Sequence, residues 1–323
     1  MKKKSIVFLS VLFLFFMSLN ANKSAEGDEG YVGVETCKGC HNEYYDSYSR
    51  SVHSKKAIPG SPANQNACES CHGSGTAHVN AGGGKGTGMF TFGRKTESKD
   101  KASKCLACHG ESKIIAFWNM SKHKSEGLSC DNCHSIHGGR EKFLKDYQPE
   151  LCFGCHKDIK AQTNRQSHHP IKEGKIKCTD CHNPHGEFGP KMIKADTVNE
   201  LCFNCHAEKR GPFMWEHPPV EENCLTCHTI HGSNHTSLLV SRMPFLCQNC
   251  HTETGHPRVP YGPFDSSFTG LVGTTGNAKP SAVTIRPKFV VRSCVNCHVN
   301  IHGSNGPVGG SGFGQEQGKR FVR

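Results

Sequence analysis

The chain has 323 residues and a formal net charge of +11, with 39 Lys and Arg against 28 Asp and Glu. Only 35% of the residues are hydrophobic, too few for a side-chain core of the usual size in a chain this long. No basic run is interleaved with aromatic residues, which removes a nucleic-acid partner despite the positive charge.

Lys2, Lys3 and Lys4 form a basic start, and Ile6 to Leu19 is an unbroken run of apolar and small residues. Small-residue cleavage sites follow at Asn20-Ala21 and Lys23-Ser24-Ala25. Residues 1–21 therefore read as a secretory signal peptide, too short for a spanning helix. No cysteine lies near the cut, so lipoprotein processing is not expected. No long apolar run follows, and no membrane-spanning helix is expected in the mature chain.

The pattern Cys-x-x-Cys-His then occurs ten times and uses all 20 cysteines. The pairs are Cys37/Cys40, Cys68/Cys71, Cys105/Cys108, Cys130/Cys133, Cys152/Cys155, Cys178/Cys181, Cys202/Cys205, Cys224/Cys227, Cys247/Cys250 and Cys294/Cys297. The histidines that close them are His41, His72, His109, His134, His156, His182, His206, His228, His251 and His298. This is the attachment signature of a c-type haem. In a helical turn, positions i, i+3 and i+4 share a face, so two thioethers and a proximal iron ligand come from one short peptide. Zinc sites and disulfide frameworks also use Cys-x-x-Cys, but neither needs a His directly after every pair. Ten covalently bound haems are the expected cofactors. Such haems are attached outside the cytoplasmic membrane, so the signal peptide and the motifs agree on the periplasm.

The repeats come in pairs of motifs. Cys152 to Gly186 has His168-His169 in its middle and His185-Gly186 at its end. Cys202 to Gly232 repeats this with His217 and His231, and Cys105 to Gly138 with His123 and His137. The first pair is looser, with His53 and His78, and so is the last, with His256 and then His302-Gly303. Two extra histidines per repeat supply a distal iron ligand for each haem: His53, His78, His123, His137, His168 or His169, His185, His217, His231, His256 and His302. His235 competes with His256 for the tenth position. His185 stands three residues after His182 and cannot reach the far side of the same ring. It is expected on a neighbouring haem, so one peptide serves two cofactors.

With roughly 30 residues per haem, the porphyrins must take the place of a core. The fold expected is a multihaem cytochrome c: short α-helices and loops wrapped round a chain of ten haems, with little β-structure. The 35 glycines and 16 prolines agree. The basic excess mostly offsets haem propionates. Without Lys2, Lys3 and Lys4 the charge falls to +8, and ten ferric haems, each formally −1, bring the holoprotein close to neutral. The glycine-rich run at 82–87 lacks Walker spacing and reads as a turn after the second motif. A long Gly/Pro/Ser-rich connection, Pro257 to Ser293, separates the last two motifs, and a Gly-rich tail follows from Gly306.

Several stretches resemble the DmsE/MtrA family of decahaem cytochromes: Tyr31-Val-Gly-Val-Glu-Thr-Cys37, Cys68-Glu-Ser-Cys71-His72-Gly73, Ile176 to Gly186, Gly211-Pro-Phe213 and Ile301-His302-Gly303-Ser304. The resemblance covers almost all of the mature chain. It implies two pentahaem halves, here 22–171 and 172–305, ahead of a flexible tail over 306–323. It also implies a place inside an outer-membrane β-barrel porin. A cytochrome of the inner membrane or periplasm would be the donor, and an extracellular multihaem cytochrome or terminal reductase the acceptor. The 257–293 connection departs from the family pattern, which has a further His along it. Electron conduction along a bis-His haem chain is the function expected, with a soluble periplasmic shuttle or a multihaem reductase as the alternatives.

Overall fold

The computed structural model describes residues 30–251, 294–296 and 298–305. The expected signal peptide, the 257–293 connection, His256, Cys297 and the tail lie outside the described residues.

Short helices and loops make up the chain. The longest helix described, Ser98–His109, has 12 residues, and β-pairing is limited to isolated bridges. Among the described residues the fully buried apolar side chains are few: Tyr48, Ala102, Trp118, Phe153, Ile171 and Ile193. Burial of this extent cannot hold the chain, as its composition requires.

The first motif of a pair is followed by helical chain, as at Asn42–Ser49, Lys157–Thr163 and Ala207–Lys209. The second motif turns instead into a hairpin pinned by one antiparallel bridge: His134 to Leu144, His182 to Ile193, His228 to Leu239.

A separate polar clamp closes each of the first four motif pairs. The buried Glu69 carboxylate, beside Cys68, accepts from the backbone N–H groups of Val32, Gly33 and Gly75 and so fixes the start of the first motif helix. Lys101 and Asp131 join the third and fourth motifs at 3.3 Å. Gln148 exchanges two hydrogen bonds with Thr179, joining the fifth and sixth. Asn199 donates to the Val220 and Glu221 carbonyls and accepts from the Cys224 N–H, joining the seventh and eighth.

The chain divides into two compact units. One runs to Ile115 and resumes at Gly127–Lys145; the other comprises Ala116–Glu126 and everything from Asp146. The first holds four motifs and the second six. The Ala116–Glu126 segment of the second unit carries His123, which faces His156.

Candidate functional site: paired imidazoles and cysteines

Each motif is a closed turn. In nine of them the histidine N–H donates to the carbonyl of the first cysteine at 2.8 to 3.1 Å; the remaining motif, Cys105 to His109, ends a helix. Both cysteines and the histidine therefore project from one peptide turn.

The two cysteines of a motif are not covered alike. The first cysteine of every motif is half-buried, but Cys40, Cys108, Cys155, Cys205 and Cys250 are exposed. These five are the second cysteines of the motifs that open each pair. There the chain runs on from the histidine, helically after Cys40, Cys155 and Cys205, and nothing returns over the thiol. In the motifs that close a pair, the hairpin comes back to the second cysteine, and Cys181 and Cys227 are half-buried. Cys133 is the exception, exposed although Lys145 reaches its carbonyl. An open side suits a thiol that must meet a porphyrin edge.

The histidines face one another. His41 lies opposite His78 at 6.2 Å between ring centres, His72 opposite His137 at 6.3 Å, and His109 opposite His53 at 6.0 Å. In the second unit the pairs are His156 with His123 at 6.2 Å, His182 with His231 at 6.3 Å, and His206 with His169 at 6.4 Å. His228 with His302 at 6.1 Å and His251 with His217 at 6.3 Å complete the series. Phe117 and Phe188 pack closer, at 4.4 Å, and so do Phe90 and Phe92, at 5.1 Å, although His41 and Tyr44 also stand 6.0 Å apart. Two metal–imidazole bonds end to end, each of about 2.0 Å, put the ring centres about 6 Å apart. Each such histidine pair could hold one metal between its two rings.

The electrostatics agree. Burial, and then the imidazole opposite, lowers the pKa of His53, His137, His217 and His231. His302 is lowered by burial, then by Lys209 and His228. A neutral ring is the form that ligates.

Backbone carbonyls fix which nitrogen carries the proton. His134 Nδ1 lies 3.0 Å from the Lys142 carbonyl, His182 Nδ1 3.0 Å from that of Lys191, and His228 Nδ1 2.8 Å from that of Ser237. A carbonyl only accepts, so Nδ1 donates and Nε2 keeps its lone pair. His72 does the same with Phe90 at 3.0 Å, and His78 with Thr87 at 3.0 Å, in the glycine-rich turn. His123 donates to Pro184 at 2.9 Å and His169 to Ile230 at 2.7 Å. Pro184 and Ile230 directly precede His185 and His231. One hairpin thus carries a proximal histidine, a distal histidine for another site and a carbonyl that orients the ligand of a third.

The cysteines give the order of the sites. First cysteines meet within pairs. Cys37 is pushed up to about 11 by burial and by Cys68, and Cys202 and Cys247 to about 12 by burial and by Cys224 and Cys294. A hydrogen bond to Cys130 raises Cys105, and one to Cys152 lowers Cys178. Second cysteines approach between pairs: Cys71 is raised by burial and then by Cys108, Cys227 by burial and then by Cys250. Cys181 is raised by burial, Asp180 and Cys205. Sites one to four and five to ten therefore follow one another in chain order within their units.

Of the adjacent pair, His169 faces His206, while His168 donates from Nδ1 to the Arg165 carbonyl at 2.6 Å and meets Glu173 through Nε2 at 3.2 Å. The ring opposite His182 is His231, not His185. No imidazole among the described residues faces His235. The orienting carbonyls were not foreseen from the sequence. Their signal was there: Lys142-Phe143-Leu144, Lys191-Met192-Ile193 and Ser237-Leu238-Leu239 stand eight or nine residues after the proximal histidine.

The residues present fit covalent haem. Cysteines and histidine of one motif do not converge as zinc ligands would; among the described residues no three His, Cys, Asp or Glu side chains are placed to share a metal ion. Residues 168–211 and 217–256 match the family model for a doubled CXXCH motif, and residues 68–146 that of the cytochrome c-type protein NrfB-like. The multiheme cytochrome MtrA of Shewanella baltica is 38% identical over 292 residues, covering 89% of this chain and 83% of the relative. The chain belongs to the MtrA family of multihaem c-type cytochromes. Members of this family are electron-transfer proteins rather than enzymes. The C-type polyheme cytochrome OmcB of Geobacter sulfurreducens is 25% identical, covering 92% of this chain and 41% of the relative. The high-molecular-weight cytochrome c of Nitratidesulfovibrio vulgaris is also 25% identical, covering 88% and 48%. The chain spans under half the length of these two relatives.

Proposed function

We propose that the chain is a ten-haem electron conductor of the periplasmic side of the outer membrane, seated in a β-barrel porin. The observation that carries it is the series of facing imidazoles, with cysteine contacts between consecutive motifs inside each unit. When bound, each haem c supplies a one-electron ferric/ferrous couple. The twenty cysteines tether the groups, the exposed Cys40 and Cys155 among them, and the ten proximal histidines, His41 to His298, bind from one face. His53, His78, His123, His137, His169, His185, His217, His231, His256 and His302 bind from the other. Two imidazoles hold the metal low-spin and leave no open coordination position, which suits transfer and disfavours reductase chemistry. Cysteines in contact keep adjacent sites close, as transfer that falls off exponentially with distance requires.

The porin follows from the family resemblance. Among the described residues no helix is long and apolar enough to cross a membrane. An electron path across lipid through such loops needs a host that satisfies their backbone groups, and a polar barrel lumen does so. The donor would be an inner-membrane or periplasmic cytochrome, and the acceptor an extracellular multihaem cytochrome or terminal reductase.

Intact mass and low-temperature EPR of the exported protein test the core of this reading. Ten covalent haems and purely low-spin ferric signals are expected. Nine haems or fewer, or a substantial high-spin signal, would overturn it.

A further inference from the structure

Non-glycine residues seldom adopt left-handed backbone, and this chain spends glycine freely where it needs that conformation, as at Gly82, Gly83, Gly84 and Gly186. Seven non-glycine residues among those described have positive φ. One is Ala67. The other six form three consecutive pairs, Lys142-Phe143, Lys191-Met192 and Ser237-Leu238.

The three pairs are copies of one device. The first residue sits at φ 55, ψ 28 in Lys142, φ 55, ψ 29 in Lys191 and φ 56, ψ 31 in Ser237. Its carbonyl accepts from Nδ1 of His134, His182 or His228. The second residue's carbonyl accepts from the N–H just after that histidine: Phe143 from Ser135, Met192 from Asn183, Leu238 from Thr229. The next residue but one returns its own N–H to the second cysteine's carbonyl, Lys145 to Cys133, Lys194 to Cys181 and Val240 to Cys227. Two left-handed residues in a row reverse the chain so tightly that both carbonyls point at the motif. Strain that recurs at three unrelated side-chain sequences, and always beside the same histidine, marks a functional constraint. Glycine at the second position would lose an apolar side chain; Phe143 packs against the His53 ring at 5.4 Å.

We propose that these left-handed pairs are potential-setting residues: they aim a carbonyl at the proximal histidine, raise its basicity, and hold the haem it binds in the ferric state. This rests on the bis-His reading above. A hydrogen bond from Nδ1 gives the imidazole partial anionic character, which favours the more highly charged iron. Lys191 and Met192 are positioning residues, acting only through His182, and Lys142-Phe143 and Ser237-Leu238 act in the same way on His134 and His228.

The test is a graded series at positions 191 and 192 in the full haem-loaded chain, read by EPR-monitored redox titration. Lys191→Gly keeps the left-handed turn and should titrate as the parent does. Lys191→Val resists that conformation, and Met192→Pro forbids it, because proline cannot take positive φ. Each should raise one low-spin component, by about tenfold in its ferric/ferrous equilibrium, or about 59 mV, in the proline variant. If Met192→Pro does not fold, Lys191→Val against Lys191→Gly decides. Equal titrations of these two, at full haem load, overturn the proposal. A parent lacking bis-His low-spin signals would overturn the underlying reading instead.

Discussion

His168 and His169 are neighbours in sequence with different surroundings. His169 faces His206, whereas His168 is taken up by Arg165 and Glu173. Replacing His169 by Met should exchange one axial nitrogen for a thioether and move one haem to higher potential. His168→Met should leave every potential in place; redox titration of the two variants separates them. The ring pairs also differ in tilt. His228 with His302 and His217 with His251 are near parallel at 14° and 18°, whereas His53 with His109 stand at 89°. The angle between axial planes governs the anisotropy of a low-spin ferric signal. Two classes of signal are expected, one rhombic and one with a single large g value, and the second should lose intensity on His53→Ala while the first keeps its own. The extra histidines recur two to a repeat in the sequence, and eight of them face a motif histidine. The choice between His168 and His169 was not legible there, since both stand at the same repeat position and only the turn through Arg165 separates them. Nor was the exposure of Cys40 and Cys155, because it depends on the path the chain takes after the motif and the motif itself does not vary.

Elements this short have little hydrophobic stability of their own, so single polar groups and close approaches decide it. Glu69 is 3% exposed and accepts three backbone N–H groups. Glu69→Ala leaves those donors without their acceptor and should cost about 3 kcal/mol, measured as a lower midpoint in denaturant melts followed by haem absorbance. Gly232 has no room for a side chain: an added Cβ would overlap the Gln162 carbonyl at the end of helix Lys157–Thr163. Gly232→Ala should therefore cost about 3 kcal/mol in the same measurement. The helical turn of each motif was readable from i, i+3, i+4 spacing. The clamps were not. Glu69, Asp131 and Thr179 each directly follow the first cysteine of a closing motif, but they are three different residue types, and Asn199 stands outside its motif, three residues before Cys202, so no residue type recurs to mark the set.

At the scale of the molecule, few apolar side chains are buried among the described residues, in line with the 35% hydrophobic composition. The recurrence of the motif was legible in the sequence, and two stretches of it match a doubled CXXCH model. The division into units of four and six motifs was not legible there, because it depends on Ala116–Glu126 packing with the later part of the chain. On the proposed reading, a near-neutral oxidised holoprotein would enter a polar lumen without a large charge penalty. Native membranes should retain the cytochrome with a co-purifying barrel. Liposomes containing that pair should pass electrons from external reductant to a trapped redox dye. Complete release with the soluble periplasm, and a dye that stays oxidised, would make the chain a soluble carrier.

The facing imidazoles come from different stretches of chain, and this gives the protein a timetable. On the proposed export, the chain would emerge from its N-terminus. When the motifs ending at His109, His156, His206 and His251 emerge, their partners His53, His123, His169 and His217 are already outside. The motifs ending at His41, His72, His182 and His228 must wait for His78, His137, His231 and His302. Maturation then proceeds as lacing, in which each new stretch completes a site left open behind it. A chain stopped early leaves its last sites half-ligated and exposed to the first small molecule able to bind iron.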